Sequence, residues 1–539
     1  MPMKFKLSPE KIEILKKTWP ALITAVAYVL AFPSAGIWPL AFVCMAPTIA
    51  MCMSAPTLKR VFWFAFAAGF LGYVGKLYWL VYTINHYGHF PLPLAVLIQF
   101  LLCATMGSFW ATAFTAMRWL TDKGKLPLWL AFTMSWMTHE WVLTWILTGF
   151  PWDLLGHSLT GWLPMAQSAD IIGGIGLSFP TAFGSVVAYE IYRFIRKQRE
   201  NFPAVLSGVL CLMIVSMALY GVLRMKQIDK LSEQGKTIRI GMLQGNVDQN
   251  KKWNKVYKRQ TFKRYKAQAI KTVAEGAELV IMPETALPYW QAQEELLRRS
   301  HKRFLSAVNA WVLLATPTQV FNPEDPEWPY KYNSVGLVTP ESEVTIWYNK
   351  HRLVPFGEYL PLKKLSIPLV KWLRSIESLS KLRLSAGFYV GKDYTIFPYP
   401  DAPFGIAICY EVVYPEHVRK IARLGAKFMV TITNDAWFGD TSAPHQHWEQ
   451  VAMRAIENRR WFARSANTGI SGIIDPNGRT IMATDTYVEA AITGDVRTMD
   501  VQSVYLRMGD WLLHLCVIIF FALMARTFYR VRKDRAKGA

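Results

Sequence analysis

The sequence predicts an α-helical membrane bundle of eight spans joined to a layered α/β domain. Three observations carry that expectation. Of 539 residues, 52% are hydrophobic and 18% charged, with 22 Trp. Eight apolar segments are each about long enough to cross a ~30 Å hydrocarbon core. Between the seventh and eighth, from about residue 236, the composition changes to short β-branched runs alternating with charged helical stretches. A chain this long exceeds what one core supports. The expected parts are 1–223 with seven transmembrane helices, 224–505 as an extracytoplasmic domain, and 506–539 as a last transmembrane helix with a basic cytoplasmic tail.

Residues 1–17 are lysine-rich (Lys4, Lys6, Lys11, Lys16, Lys17). The apolar segments run at 18–32, 36–54, 61–82, 92–117, 126–148, 164–192, 204–223 and 511–530, the first of marginal length. That first segment does not read as a cleaved signal, because it runs on into another span with no A-x-A-like site in a polar setting. Lys59 and Arg60 follow the second segment, and Arg118, Lys123 and Lys125 the fourth. Arg193, Arg196, Lys197 and Arg199 follow the sixth, and six Lys or Arg the eighth. The alternate loops 33–35, 83–91 and 149–163 hold no Lys or Arg. The positive-inside rule then puts both termini in the cytoplasm and 224–510 outside the cytoplasm; a bacterial inner membrane with a periplasmic domain is what the family resemblance described below implies. Lys76, Asp153 and Asp170 lie in or near the spans, where charge is costly and often functional. Basic loops beside spans explain much of the net charge of +22. Without zinc-ligand spacing or an aromatic RNA-binding signature, that charge does not indicate nucleic acid as a partner.

Strands are expected at 237–243, 278–282, 311–315, 333–338, 343–348, 404–409, 427–432, 462–466 and 470–474, and helices at 254–275, 292–309, 414–424 and 445–460. Between them, 360–384 reads as an amphipathic helix that Ser366 caps, with Pro368 just inside. Leu369, Trp372, Leu373, Ile376 and Leu379 share one face, against Lys371, Arg374 and Lys381, with Glu377 the one opposing charge. Such a helix either packs on its own domain or, the reading preferred here, lies on the outer leaflet of a membrane.

Of the six cysteines, Cys409 is the one outside the long apolar segments. It ends the apolar run Phe404-Gly-Ile-Ala-Ile-Cys-Tyr-Glu411, so it is either a core thiol or a nucleophile in need of a base. Two other apolar strands end in complementary chemistry: Leu279-Val-Ile-Met-Pro-Glu284, and Trp347-Tyr-Asn-Lys350 leading to Val354-Pro-Phe-Gly-Glu358. Singly, Glu284 fits a loop ion pair and Lys350 a solvated charge. Together Glu284, Lys350 and Cys409 supply a base, an oxyanion donor and a nucleophile.

These stretches resemble the Glu–Lys–Cys triad of the nitrilase superfamily of carbon–nitrogen hydrolases. The likeness extends to Gln244-Gly-Asn246 before Trp253, to Asn434-Asp-Ala-Trp437-Phe-Gly439 and to Arg464-Ser-Ala-Asn467-Thr-Gly469. Seven spans before such a domain and one after it resemble the superfamily's membrane-embedded branch, which N-acylates lipoproteins. Ala315-Thr-Pro317 and Ser465-Ala466 depart from the common pattern without touching the triad. The resemblance implies a nitrilase-like αββα sandwich and a thioester on Cys409. Glu284 would act as base, with Lys350 and the backbone N–H of Tyr410 at the oxyanion. Glu358 and Glu411 would support the triad, and Trp253 and Tyr410 would line a substrate or acyl channel. It also implies phosphatidylethanolamine or a similar phospholipid as donor, a diacylated apolipoprotein as acceptor, a monomer, and no cofactor or metal. His445-x-His447 then reads as a helix start. Two rivals are a membrane-anchored amidase or nitrilase acting on a small periplasmic compound, and a transporter with an inert appendage. The transporter calls for paired intramembrane charges and broken helices at matching positions in two halves, neither of which the sequence shows.

Overall fold

The computed structural model describes residues 9–288, 295–321, 329–376 and 387–538. Contacts divide the chain into two compact units. One comprises 1–78, 96–222 and 510–539, and the other 79–95 and 223–509. The segment 79–95, which the sequence reading divided between the end of one span, the loop 83–91 and the start of the next span, therefore belongs to the α/β unit.

That second unit is built from β1 (Thr237–Gln244), β2 (Leu279–Ile281), β3 (Trp311–Val320), β4 (Tyr330–Val338), β5 (Val344–Asn349), β6 (Ile396–Phe397), β7 (Phe404–Ile408), β8 (Phe428–Thr433), β9 (Phe462–Ala466), β10 (Gly472–Ile474), β11 (Thr480–Ala483) and β12 (Ala490–Arg497). They form two six-stranded sheets, ordered β12-β1-β2-β3-β4-β5 and β11-β10-β9-β8-β7-β6. Each has a parallel centre (β1-β2-β3; β7-β8-β9) flanked by antiparallel strands. The central strands are buried on both faces, which is why they read as unbroken apolar runs. β1 packs against β9 and β12 against β10, so the two sheets face each other.

Helices cover the outer faces. Tyr265 and Ala269 of helix Lys255–Ala274 and Phe304, Leu305 and Val308 of helix Glu295–Val308 pack on Val280, Met282 and Val312 of the first sheet. Val418 and Ile421 of helix Pro415–Arg423 and Val451 and Ala455 of helix Ala443–Asn458 pack on Ala407, Met429 and Phe462 of the second. The layers run helix, sheet, sheet, helix. Residues 292–294 of the expected helix 292–309 lie outside the described residues.

The amphipathic helix forms at Lys363–Ser375, three residues earlier than the expected cap, with Pro368 inside it. Ser366 does not cap: its N–H and hydroxyl both donate to the Leu362 carbonyl, at 3.0 and 3.3 Å. Trp372 is 60% exposed, and Leu362 just before the helix 71%. Glu377, Leu379 and Lys381 lie outside the described residues.

The first unit is helical. By length and composition, three helices among the described residues can cross a membrane: Leu92–Asp122, Ala204–Glu233 and Trp511–Lys537. The number rises to five if each of two bent pairs is one span. Three to five candidate spans thus stand where the sequence reading expected eight. Segment 61–82 ends as a helix at Lys76 and turns by 57° into Trp79–Tyr87. Segment 164–192 turns by 63° between Ala169–Gly176 and Ser178–Ile195, close to Gly173, whose φ of 77° interrupts the helix. Segment 36–54 is split into Trp38–Phe42 and Ala46–Ser54, each with proline in its first turn. An edge-to-face aromatic column, Tyr28–Trp110–Trp136, fills the core, with both ring pairs at 5.1 Å. Lys76 is buried beside it. Its ammonium donates to the Tyr28 hydroxyl at 3.0 Å and to the Asp153 carbonyl, and lies 3.7 Å above the Phe32 ring. Asp170 accepts from the Tyr220 hydroxyl at 2.6 Å. Lys76 and Asp170 thus bond within this unit, Lys76 to the backbone of Asp153.

Candidate active site

Glu284 and Cys409 follow strands buried along their whole length, and Lys350 follows β5, in which Tyr348 is the buried position. β2 leads through Met282 and Pro283 to Glu284, β5 ends one residue before Lys350, and β7 ends one residue before Cys409. Strand ends suit this task because the sheet fixes the backbone while the next side chain leaves the ladder.

Lys350 and Glu284 meet. The ammonium lies 3.1 Å from Oε1 of Glu284 and 3.0 Å from Oε1 of Glu358, with Lys350 1% exposed. Burial opposes its charge, but Glu284 and Glu358 outweigh that and hold its pKa well above the usual lysine value. Glu358 is pushed up, by burial first and by the like charge of Glu284, while Lys350 pulls against both. Its other oxygen accepts from the Val354 N–H at 2.8 Å.

Asn333, in the middle of β4, binds the two carboxylates together. Its amide donates to Glu284 at 2.7 Å and to Glu358 at 2.9 Å. Its carbonyl accepts from the Lys350 N–H at 2.9 Å, so the β4–β5 ladder itself places the two side chains. Lys252, also buried, donates to the Glu284 carbonyl at 3.1 Å and to the Thr285 hydroxyl at 2.7 Å. Burial lowers its pKa to about 8 against the opposing pull of Glu284. Sequence reasoning missed both. Asn333 is one polar residue inside a strand, and Lys252 one lysine in a basic loop; its place next to Trp253 was the available signal.

Cys409 opens a tight turn, Cys409–Val413, with φ of +52°, a left-handed conformation that a non-glycine residue adopts only when its surroundings impose it. The thiol is buried. Burial, then the Glu284 carboxylate, pushes its pKa up, while Lys350 and the Thr433 hydroxyl oppose. The resting group is a thiol, so reaction requires a base at hand.

Glu411 fixes this turn from within. The Ile408 N–H donates to it at 2.7 Å, the His351 and Arg352 N–H groups at 2.6 and 3.1 Å, and the Tyr348 hydroxyl to both oxygens at 2.9 Å. Burial works against this charge; His417, the Ile408 N–H and Lys350 prevail and lower its pKa to about 2. Tyr410 is buried edge-to-face on Tyr414 at 5.2 Å. Trp253 is 39% exposed, with Lys258 6.0 Å over its ring.

The Asn434 and Arg464 stretches contribute a buried network. Asn467 donates to the Val247 carbonyl at 2.8 Å and to Asn434 at 2.9 Å, and its own oxygen accepts from the Val247 N–H at 3.0 Å. Arg464 pairs with Asp435 at 2.7 Å, and the pair reaches His447. A Cβ on Gly469 would strike the Asp435 carboxylate, which explains a glycine there. His447 is buried and His445 exposed, so they do not act together; among the described residues, no group of three or more His, Cys, Asp or Glu could hold a metal.

Residues 24–187 match the Apolipoprotein N-acyltransferase N-terminal domain, and residues 239–505 match the Carbon-nitrogen hydrolase family. An apolipoprotein N-acyltransferase of Geobacter metallireducens is 32% identical over 513 residues, 95% of each chain. The chain belongs to the apolipoprotein N-acyltransferase family. A second apolipoprotein N-acyltransferase, from Azotobacter vinelandii, is 31% identical over 532 residues, covering 97% of this chain and 98% of its own. Among solved structures, an amidase of the nitrilase superfamily from Nesterenkonia AN1 aligns with 52% of this chain and 97% of its own, at 18% identity and a TM-score of 0.36. The apolar helices of this family member fit a membrane protein.

Proposed function

We propose that this apolipoprotein N-acyltransferase family member transfers an acyl chain in two steps through a thioester on Cys409. In the first, Glu284 takes the thiol proton and the sulfur attacks an ester carbonyl of a phospholipid such as phosphatidylethanolamine. Lys350 and the Tyr410 N–H hold the oxyanion. The lysophospholipid leaves with the proton from Glu284. In the second, the α-amine of an S-diacylglyceryl cysteine attacks the thioester, Glu284 accepts the amine proton, and the thiolate leaves and is reprotonated. The product is an amide, at the amino terminus of a lipoprotein.

The observation that carries this reading is the buried Lys350 held between Glu284 and Glu358 beside a thiol that is protonated at rest. A lysine paired this way stays charged in a dry site, as an oxyanion donor must. Glu358 and Glu411 support the triad, the first through Lys350 and the second through the turn that carries Cys409. The domain limits 1–223, 224–505 and 506–539 belong to this proposal. So do eight crossings, in which each bent or split helix counts as one, and an inner membrane with the α/β unit on its periplasmic side. Trp372 and Leu362 beside Lys364 and Lys371 suit a helix lying in the outer leaflet, where phospholipid is drawn from.

The acceptor tests the function. Given phosphatidylethanolamine vesicles and a diacylated lipopeptide, the enzyme is expected to convert the lipopeptide to its N-acyl form. Release of free fatty acid with the lipopeptide unchanged would mean a hydrolase.

A further inference from the structure

The peptide joining Cys409 to Tyr410 is held from behind by side chains the reaction does not otherwise use. Its carbonyl oxygen lies 3.2 Å from Nε2 of His447. A carbonyl only accepts, so Nε2 carries the hydrogen of that bond. Nδ1 of the same ring lies 3.0 Å from Nη2 of Arg464 and 3.1 Å from Oδ1 of Asp435. Arg464 also donates to Oδ2 of Asp435 at 2.7 Å, and Oδ1 accepts from the Thr433 hydroxyl at 2.7 Å. Burial first, and then the charge of Arg464, depress the basicity of His447. The ring is therefore neutral, and its bare Nδ1 accepts from the guanidinium. Asp435, His447 and Arg464 are all fully buried. The buried charged pair, whose guanidinium also donates to the Ile470 carbonyl at 3.1 Å, thus reaches the Cys409 carbonyl through the His447 ring.

We infer that His447 is a positioning residue of the oxyanion hole: backed by Arg464, it fixes and polarises the Cys409–Tyr410 peptide so that the Tyr410 N–H binds the oxyanion more strongly. The carbonyl and the N–H are two ends of one conjugated amide. A hydrogen bond accepted at the oxygen draws electron density from the nitrogen and makes its N–H a better donor. Bonds in a chain strengthen one another, by roughly 10–30% each. Here Arg464, His447 and the peptide stand in line, and the last N–H of the line is the one the mechanism uses. The same contact helps hold Cys409 at its left-handed φ of +52°. This inference rests on the Tyr410 N–H being an oxyanion donor, as proposed above.

Two reactions of the same thiol separate the inference from a packing role. Thioester formation passes through an oxyanion, whereas alkylation of Cys409 by iodoacetamide does not. Both rates are measured on the full chain in phosphatidylethanolamine vesicles, each normalised to the alkylatable fraction so that loss of folded protein alone moves neither. In His447→Leu, or His447→Asn if the leucine variant does not fold, acylation is expected to fall about tenfold relative to alkylation. That is a fraction of the 10²–10³ a whole oxyanion donor contributes. His447→Gln, which keeps a donor and an acceptor at some reach, is expected to recover acylation to within about threefold of the parent. Parallel loss of both rates, or an unchanged ratio, overturns the inference. Parent enzyme that is alkylated at Cys409 but never acylated there would instead overturn the thioester reading beneath it.

Discussion

In the proposed mechanism Lys350, Glu284 and Glu358 act through charge, so single substitutions separate their parts. Lys350→Ala is expected to slow both half-reactions by about 10²–10³, since each passes through an oxyanion. Glu284→Gln is expected to slow acylation by about 10²–10⁴ because the thiol keeps its proton. Stopped acylation and deacylation assays read the two steps apart, and near-parent turnover by Lys350→Ala would remove the lysine from the mechanism. Glu411 sets a pH dependence. Its folded pKa lies below its ordinary value of 4.5, at about 2. Its contribution to stability is thus complete above about 4.5 and lost as pH falls toward 2, on the order of 3 kcal/mol in all. Glu411→Gln is expected to unfold at a lower temperature at pH 7 and to show less loss between pH 5 and 3 than the parent. Identical pH slopes in thermal melts would contradict this. Glu284 and Cys409 stood out in the sequence at the ends of apolar runs, Glu284 one proline beyond, and Lys350, after Asn349, was singled out with them by the family resemblance. Asn333, Lys252 and the Asp435–His447–Arg464 network were not legible there. Their partners lie 12 to 49 positions away along the chain, and only the paired sheets bring them together.

At the scale of elements, the nine strands expected from sequence all form, since burial on one or both faces writes a continuous or alternating apolar pattern. β6, β11 and β12 were missed. β6 has two residues, β11 is an edge strand with exposed positions, and β12 reads Ala-Ala-Ile-Thr-Gly-Asp-Val-Arg, small and polar and half-buried. β12 is identified only by pairing antiparallel with β1 along its full length. Helix Lys363–Ser375 was legible by period, though not at its start, where Ser366 bonds back into the helix. Serine at Leu362, Ile367 and Trp372 is expected to slow acylation from bilayer phospholipid by about tenfold, while a short soluble ester is used at the parent rate. The comparison of the two donors at matched enzyme concentration checks it, and equal losses would mean ordinary domain packing.

For the whole molecule, the alternation of basic and uncharged loops states an orientation that helix lengths alone do not. Composition marks where apolar chain lies, but kinks at Gly173 and beyond Lys76 arise from local geometry and buried partners that a hydropathy count does not register. A membrane-impermeant thiol reagent is expected to label a cysteine placed at an exposed position in 224–510 and to spare one placed at 119–125 or 193–200. The opposite pattern would reverse the orientation. The central claim is the acyl-enzyme, and intact-mass spectrometry of the protein after exposure to phosphatidylethanolamine tests it most directly. One acyl mass is expected on Cys409, absent from Cys409→Ala and removed by a diacylated lipopeptide amine. An acyl mass that persists in Cys409→Ala, or one that the amine does not discharge, would contradict the account.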